Sequence, residues 1–210
     1  FSLCLLKSRS DAYIQLFSHS TITNEWRILP TDGSHESFKV FQPRITGLEY
    51  LISHHADQFF IVTNENAQNF KLMVTPVEET TKENWNEVIA HRPDVFIEGI
   101  DTFEDFIVLY ERRDGFTQIR ISDPDGASNV KYIPFPETVY AVSTMPNPEF
   151  KTDKLRIKYT SLITPNSVID YHIQTGKWDV KKVDEIPSGY DANQYESARA
   201  YATASDGTQV

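Results

Sequence analysis

The stretch "DFIVLY", Asp105 to Tyr110, has the composition of a buried β-strand: β-branched and aromatic residues with one polar residue at the entry. The same pattern recurs as "AYIQLF" from Ala12, "QFFIVT" from Gln58 and "KLRIKY" from Lys154. The spacings between the four are 46, 47 and 49 residues. A period in this range marks a repeat architecture, helical or β, so the elements inside one period decide which.

They are strands. Each marker is followed by a polar turn and a second apolar run: "EWRILP" from Glu25, "FKLMVTP" from Phe70, "TQIRIS" from Thr117 and "SVIDYHI" from Ser167. Turn signals come next, "TDG" at 31–33, "DPDG" at 123–126, "QTG" at 174–176 and the weaker "EETTKEN" from Glu78. A third, more polar run follows: "SFKVFQP", "WNEVIAHRP", "NVKYIPFPE" and "KWDVKKVDEIP". Each carries Pro, which cannot donate to a ladder and suits edge positions. Ahead of three markers lies one more short strand, "LEYLI" from Leu48, "VFIEGI" from Val95 and "VYAVST" from Val139, and "FSLCLL" at the start is its partner in the first unit. "VEETTKENWNEVIA" is the best helical candidate and has room for one turn. Four antiparallel strands per period of about 47 residues is the signature of a β-propeller; a β-sandwich would explain the strands but not the period.

The predicted organisation is all-β: four consecutive four-stranded blades over 1–187, in units of about 1–45, 46–92, 93–136 and 137–187. The pattern changes after Pro187. Residues 188–210 read as a linker, "SGYDANQYES", then a strand and the Asp206-Gly207 hairpin signal of a further domain. We read the chain as part of a larger ring followed by the first strand of something else.

Composition narrows the partners. Among 210 residues, 30 are Asp or Glu and 20 are Lys or Arg, for a net charge of −10. That balance disfavours nucleic acid and anionic membranes and favours cationic ligands. No apolar run approaches the roughly 20 residues of a membrane span. A single cysteine, Cys4, allows no internal disulfide and suggests a reducing, cytoplasmic setting; in apolar "FSLCLL" it reads as an inert core thiol.

The residues "SLITPNSVIDYHIQTGKW" (161–178) and "YESARAYATASDGTQV" (195–210) resemble the junction between propeller and catalytic domain in the prolyl oligopeptidase family of serine peptidases. "HRPDVFIEGIDTFEDFIVLYERRDGFTQIRI" (91–121) and "SRSDAYIQLFSHSTITNEWRILPTDG" (8–33) resemble earlier blades, in the expected order, with one departure at Tyr201 where Trp is expected. The resemblance implies a seven-bladed propeller that covers an α/β-hydrolase domain and restricts entry to short peptides. In one branch of the family cleavage follows Arg or Lys. It also places the Ser-His-Asp triad in the hydrolase domain of the same polypeptide, so no catalytic residue is expected in this chain. The residues agree: an α/β-hydrolase nucleophile sits in G-x-S-x-G, and the nearest match, "GASNV" from Gly126, lacks the second glycine and reads as a loop.

Other candidates are weaker. Glu98, Asp101, Glu104 and Asp105 form an acidic group that would steer basic peptides, against the plainer reading of an exposed polar loop. Gly189, Tyr195 and Glu196 in the linker are placed at a hinge between domains. His54, His55 and Asp57 are read as solvated loop residues rather than metal ligands, since adjacent strand side chains point to opposite faces. Arg112 and Arg113 are read as a solvated hairpin turn. No cofactor and no metal is expected. The alternative function is a free-standing propeller that scaffolds other proteins.

Overall fold

The computed structural model describes residues 1–208; Gln209 and Val210, the last residues of the expected terminal hairpin, lie outside them. The described residues form four separate four-stranded antiparallel sheets, each a meander in sequence order. Sheet I contains β1 (Ser2–Lys7), β2 (Tyr13–Ser20), β3 (Thr23–Pro30) and β4 (Lys39–Val40). Sheet II contains β5 (Tyr50–His55), β6 (Gln58–Thr63), β7 (Lys71–Pro76) and β8 (Asn86–Ile89). Sheet III contains β9 (Phe96–Thr102), β10 (Ile107–Arg113), β11 (Phe116–Ser122) and β12 (Lys131–Tyr132). Sheet IV contains β13 (Tyr140–Thr144), β14 (Lys154–Ser161), β15 (Ser167–His172) and β16 (Trp178–Val183). These are the blades expected from the repeat, and the fold class is that of a β-propeller. The helical candidate resolves to one 3-10 turn at Lys82–Asn84.

The chain divides into two compact units, Phe1–Ile133 with Asn147–Thr152, and Pro134–Pro146 with the residues from Asp153 onward. The first holds sheets I to III. Sheet II is the middle one: Phe59 and Ile61 of β6 pack with Trp26, Ile28 and Phe41 of the first repeat, while Phe60 and Val62 pack with Ile97, Ile107 and Leu109 of sheet III. Alternate β6 side chains therefore enter two different cores, which is why "QFFIVT" is apolar at consecutive positions instead of alternating. Polar bonds reinforce both seams. Tyr50 O accepts from Trp26 Nε1 at 2.9 Å and Asn24 Nδ2 at 3.0 Å, and Tyr50 Oη donates to Gln42 O at 2.9 Å. Thr102 Oγ1 donates to His54 O at 2.8 Å. Gly126, with φ +78°, packs its bare Cα of the sheet III loop against sheet II; a Cβ there would lie 3.1 Å from Phe60 Cε1.

In the second unit sheet IV has its own aromatic core. Tyr159 sits between Phe135 (5.8 Å) and Trp178 (5.6 Å). Here β14 does alternate: Leu155, Ile157 and Tyr159 are buried while Arg156 and Lys158 are exposed. Arg156 Nε binds Asp170 Oδ1 at 2.6 Å across the β14–β15 pair, and that bond holds the Asp170 carboxyl below its ordinary range.

Two expectations fail. Cys4 is exposed, not core, because β1 pairs with β2 alone and no described residue covers its faces; Leu3 and Leu5 beside it are each 66% exposed. His54 is buried on β5 rather than solvated, because the β1–β2 loop folds over it. The expected terminal hairpin falls partly outside the described residues: the tail has a 3-10 turn at Ala192–Gln194, a single bridge residue at Thr203 and the Asp206-Gly207 turn, in which Ala204 N donates to Thr208 O at 2.8 Å.

Candidate functional site

The first strand of each sheet, β1, β5 or β9, is an edge strand. Sheet II packs against both sheets I and III. Among the described residues two features draw on all three sheets, one at each end of β5.

At the end carrying the β5–β6 turn, Arg9 of the β1–β2 loop reaches sheet III. Its Nη2 binds Asp101 Oδ1 at 2.6 Å, Nη1 donates to Thr102 O at 3.2 Å and Nε donates to Asn147 O at 2.6 Å. The guanidinium lies 4.3 Å from the Phe103 ring centroid. Tyr110 Oη donates to the other Asp101 oxygen at 2.8 Å, and burial first, then the Asp101 charge, pushes its phenol up. Next to this tie, Ser10 Oγ lies 2.7 Å from His54 Nδ1, and the rings of Tyr13 and Phe59 enclose the imidazole at 4.8 and 5.0 Å. Burial pushes the His54 imidazole down to about 4.

At the opposite end a cavity of about 200 Å³ is lined by Phe17 and His19 of β2, Glu49 and Leu51 around the start of β5, and Phe96 and Glu98 of β9. Phe70, from the β6–β7 connection, meets Phe96 edge-to-face at 5.3 Å.

These contacts dissolve the acidic group read from the sequence. Glu98 is at the cavity end and is bound by Arg112 (Nη2 2.7 Å, Nε 2.8 Å) and Thr117. Asp101 is held by Arg9 at the far end of the same strand. Glu104 pairs with Lys151 at 2.7 Å, and Asp105 is exposed in the turn before β10. The four do not converge, because β9 is seven residues long and separates Glu98 from the rest. Arg113 pairs with Asp94 at 3.0 Å, so both arginines of the β10–β11 hairpin are exposed but engaged. His55 Nε2 lies 3.1 Å from Glu104 O, and no group of potential metal ligands occurs among the described residues.

The linker residues lie in the second unit. Gly189, with φ +80°, donates its N–H to Ile186 O at 3.0 Å. Tyr195 stacks on Tyr190 at 5.5 Å, Tyr190 Oη donates to Ile163 O, and Glu196 is exposed. This segment buries little.

The family profile described as prolyl oligopeptidase, N-terminal beta-propeller domain, matches residues 1–184. The chain belongs to the prolyl oligopeptidase family. Among curated relatives it is 36% identical to dipeptidyl aminopeptidase BI of Pseudoxanthomonas mexicana over 99% of this chain and 28% of that protein, and 28% identical to protease 2 of Moraxella lacunata over 100% and 30%. Among solved structures it resembles oligopeptidase B from Leishmania major, with a TM-score of 0.88 and 27% identity over 100% of this chain and 31% of that one. Oligopeptidase B from Trypanosoma brucei with covalently bound antipain, in a closed form, gives the same figures. The chain thus spans about three tenths of these relatives.

Proposed function

We propose that this chain is the gating propeller of a serine oligopeptidase that cleaves short peptides after Arg or Lys, with its catalytic triad in an α/β-hydrolase domain of the same polypeptide. The observation that carries this reading is the likeness to oligopeptidase B along the whole chain. The missing G-x-S-x-G elbow fits it, since the chain would then bind and filter but break no bond by itself. Filtering is steric. A peptide reaches a covered site by threading or by transient separation of the domains, while a folded protein does neither. Arg9 suits this role: it ties the β1–β2 loop of sheet I to the end of β9 in sheet III, resisting their spreading there. The weakly buried segment around Gly189, Tyr195 and Glu196 suits a hinge strand.

The test uses the full-length enzyme with one Arg-containing sequence presented as a short peptide, as a long unfolded chain and inside a folded protein. Gating predicts a steep fall of kcat/KM along that series, and equal cleavage of all three would refute it. A disulfide engineered between the linker and the hydrolase domain is expected to suppress cleavage reversibly; unchanged turnover in the locked form removes the hinge assignment.

The 36% identity to dipeptidyl aminopeptidase BI favours a second reading, release of dipeptides from a free amino terminus. Matched peptides with free and acetylated amino termini separate the two. An exopeptidase loses the acetylated substrate and an endopeptidase does not.

A further inference from the structure

We propose that the cavity at the cavity-bearing end of β5 is a subsite for a basic side chain of the bound peptide, remote from the scissile bond. The substrate class rests on the peptidase reading above; the binding chemistry rests on the cavity.

Glu49 is the decisive residue. It is half-buried in the cavity wall. Its backbone is fixed on both sides by Asn64: Glu49 N donates to Asn64 Oδ1 at 2.8 Å and Glu49 O accepts from Asn64 N at 3.2 Å. Thr63 Oγ1 also donates to that carbonyl, at 3.1 Å. Its carboxylate, by contrast, has no hydrogen-bond or ionic partner among the described residues. Glu98, the other acid of the cavity, already has Arg112. A half-hydrated carboxylate without a counter-charge gains from meeting a cation.

The framework's own nearby cation does not fill this need. Arg44 is held by Thr23 O at 3.1 Å and Ser18 O at 2.8 Å, and its guanidinium lies 4.8 Å from the Phe1 ring centroid.

The remaining walls are aromatic. Phe96 is 37% exposed and is supported edge-on by Phe70. Phe17 backs His19 in a stack at 4.8 Å and 15°. An unpaired carboxylate on a fixed backbone, beside the partly exposed Phe96 ring, is the chemistry that captures guanidinium or ammonium groups, through charge-assisted hydrogen bonds and cation–π attraction. The volume, about 200 Å³ or roughly six waters, admits one side-chain head and not a folded peptide. The cavity is bounded by the β2–β3 turn, the start of β5, the β6–β7 connection and the start of β9.

The experiment has two arms on the full-length protein. In the first, a protease-resistant probe, fluorescein-labelled tri-D-arginine amide, is titrated by anisotropy against wild type, Glu49→Gln and Phe96→Ala, with a citrulline version as the neutral control. The probe is expected to bind wild type, roughly tenfold more weakly to Glu49→Gln and several-fold more weakly to Phe96→Ala, and the citrulline version is expected not to respond to Glu49→Gln. Glu49→Gln should melt as wild type does, because the carboxylate has no internal partner. Equal affinity for wild type and Glu49→Gln, or no measurable binding to wild type, overturns the proposal. So does a Glu49-dependent response to trialanine amide with a free amino terminus, which would assign the cavity to the peptide's ammonium end.

In the second arm, two peptides share one cleavage site and differ by a distant Arg or citrulline. The Arg peptide should show the lower KM in wild type, and Glu49→Gln should close that gap in KM; a gap that survives also overturns the proposal. Failure of the enzyme to cleave any Arg peptide refutes the peptidase reading alone, since the first arm is independent of hydrolysis.

Discussion

Lowering the pH should destabilise the first unit through a single imidazole. His54 is enclosed by Tyr13, Phe59 and Ser10, and burial shifts it from an ordinary 6.5 to about 4; His55 reinforces the shift, while Asp57 opposes it. The folded protein therefore keeps His54 neutral while the unfolded chain takes up the proton. The resulting stability is complete above about pH 6.5 and is lost as pH falls from there toward 4. At about 1.4 kcal/mol per unit the full shift is worth about 3.5 kcal/mol; screening by water at the edge of the sheet reduces this to about 2 kcal/mol between roughly pH 7 and pH 4.5. Carboxylates titrate in the same window, so the measurement is a difference: denaturant midpoints of wild type and His54→Gln across that range. Wild type should lose about 2 kcal/mol more than the variant. Superimposable pH profiles would refute the claim that the β1–β2 loop buries a neutral imidazole, as would an NMR titration of His54 with a midpoint near 6.5.

Three further outcomes are expected. Arg9→Ala should cost about 2–3 kcal/mol, because it strands the shielded Asp101 and two carbonyl groups; Arg9→Ala with Asp101→Asn should recover part of that in a double-mutant cycle, and strict additivity would show the tie to be inert. Arg92→Ala should be more damaging, about 3 kcal/mol, than the pair Arg92→Ala with Glu111→Leu. Glu111 is fully buried, and Arg92 (2.5 Å) and Tyr132 (2.9 Å) contact its carboxylate, so equal stabilities would contradict an uncompensated buried charge. Gly126→Ala should lower stability by about 1–2 kcal/mol, since φ is +78° and the new methyl would press on Phe60, Val88 and Leu72; a neutral thermal shift would mean that the loop moves away freely.

The contacts between sheets were less legible than the blades. Glu111 carried a faint signal, since it alternates with Ile107 and Leu109 on β10 and so shares their face. Arg9 carried none: "KSRSD" reads as a polar turn, and its partner lies 92 residues further along the chain. Glu49 carried none either, as the one acid of the expected strand "LEYLI"; what distinguishes it is the absence of a cation, and that depends on Arg44 and Arg112 being engaged elsewhere. The acids at 98–105 are neighbours in sequence, and only the folded chain assigns Glu98 to Arg112, Asp101 to Arg9 and Glu104 to Lys151.

The order and pairing of the strands were fixed by local information: the two-residue side-chain period, turn chemistry such as Asp114-Gly115, and a recurrence of 46 to 49 residues. Those constraints act within one blade, over a few ångströms of backbone, and survive in the linear text. Which carboxylates are neutralised, whether a histidine is dry and whether a thiol is covered depend on contacts between blades. Arg9 with Asp101, Ser10 with His54 and the uncovered face of β1 are such cases. Charge and hydration are set by whatever lies within a few ångströms in space, and only the packing of sheet II between its two neighbours brings those groups together.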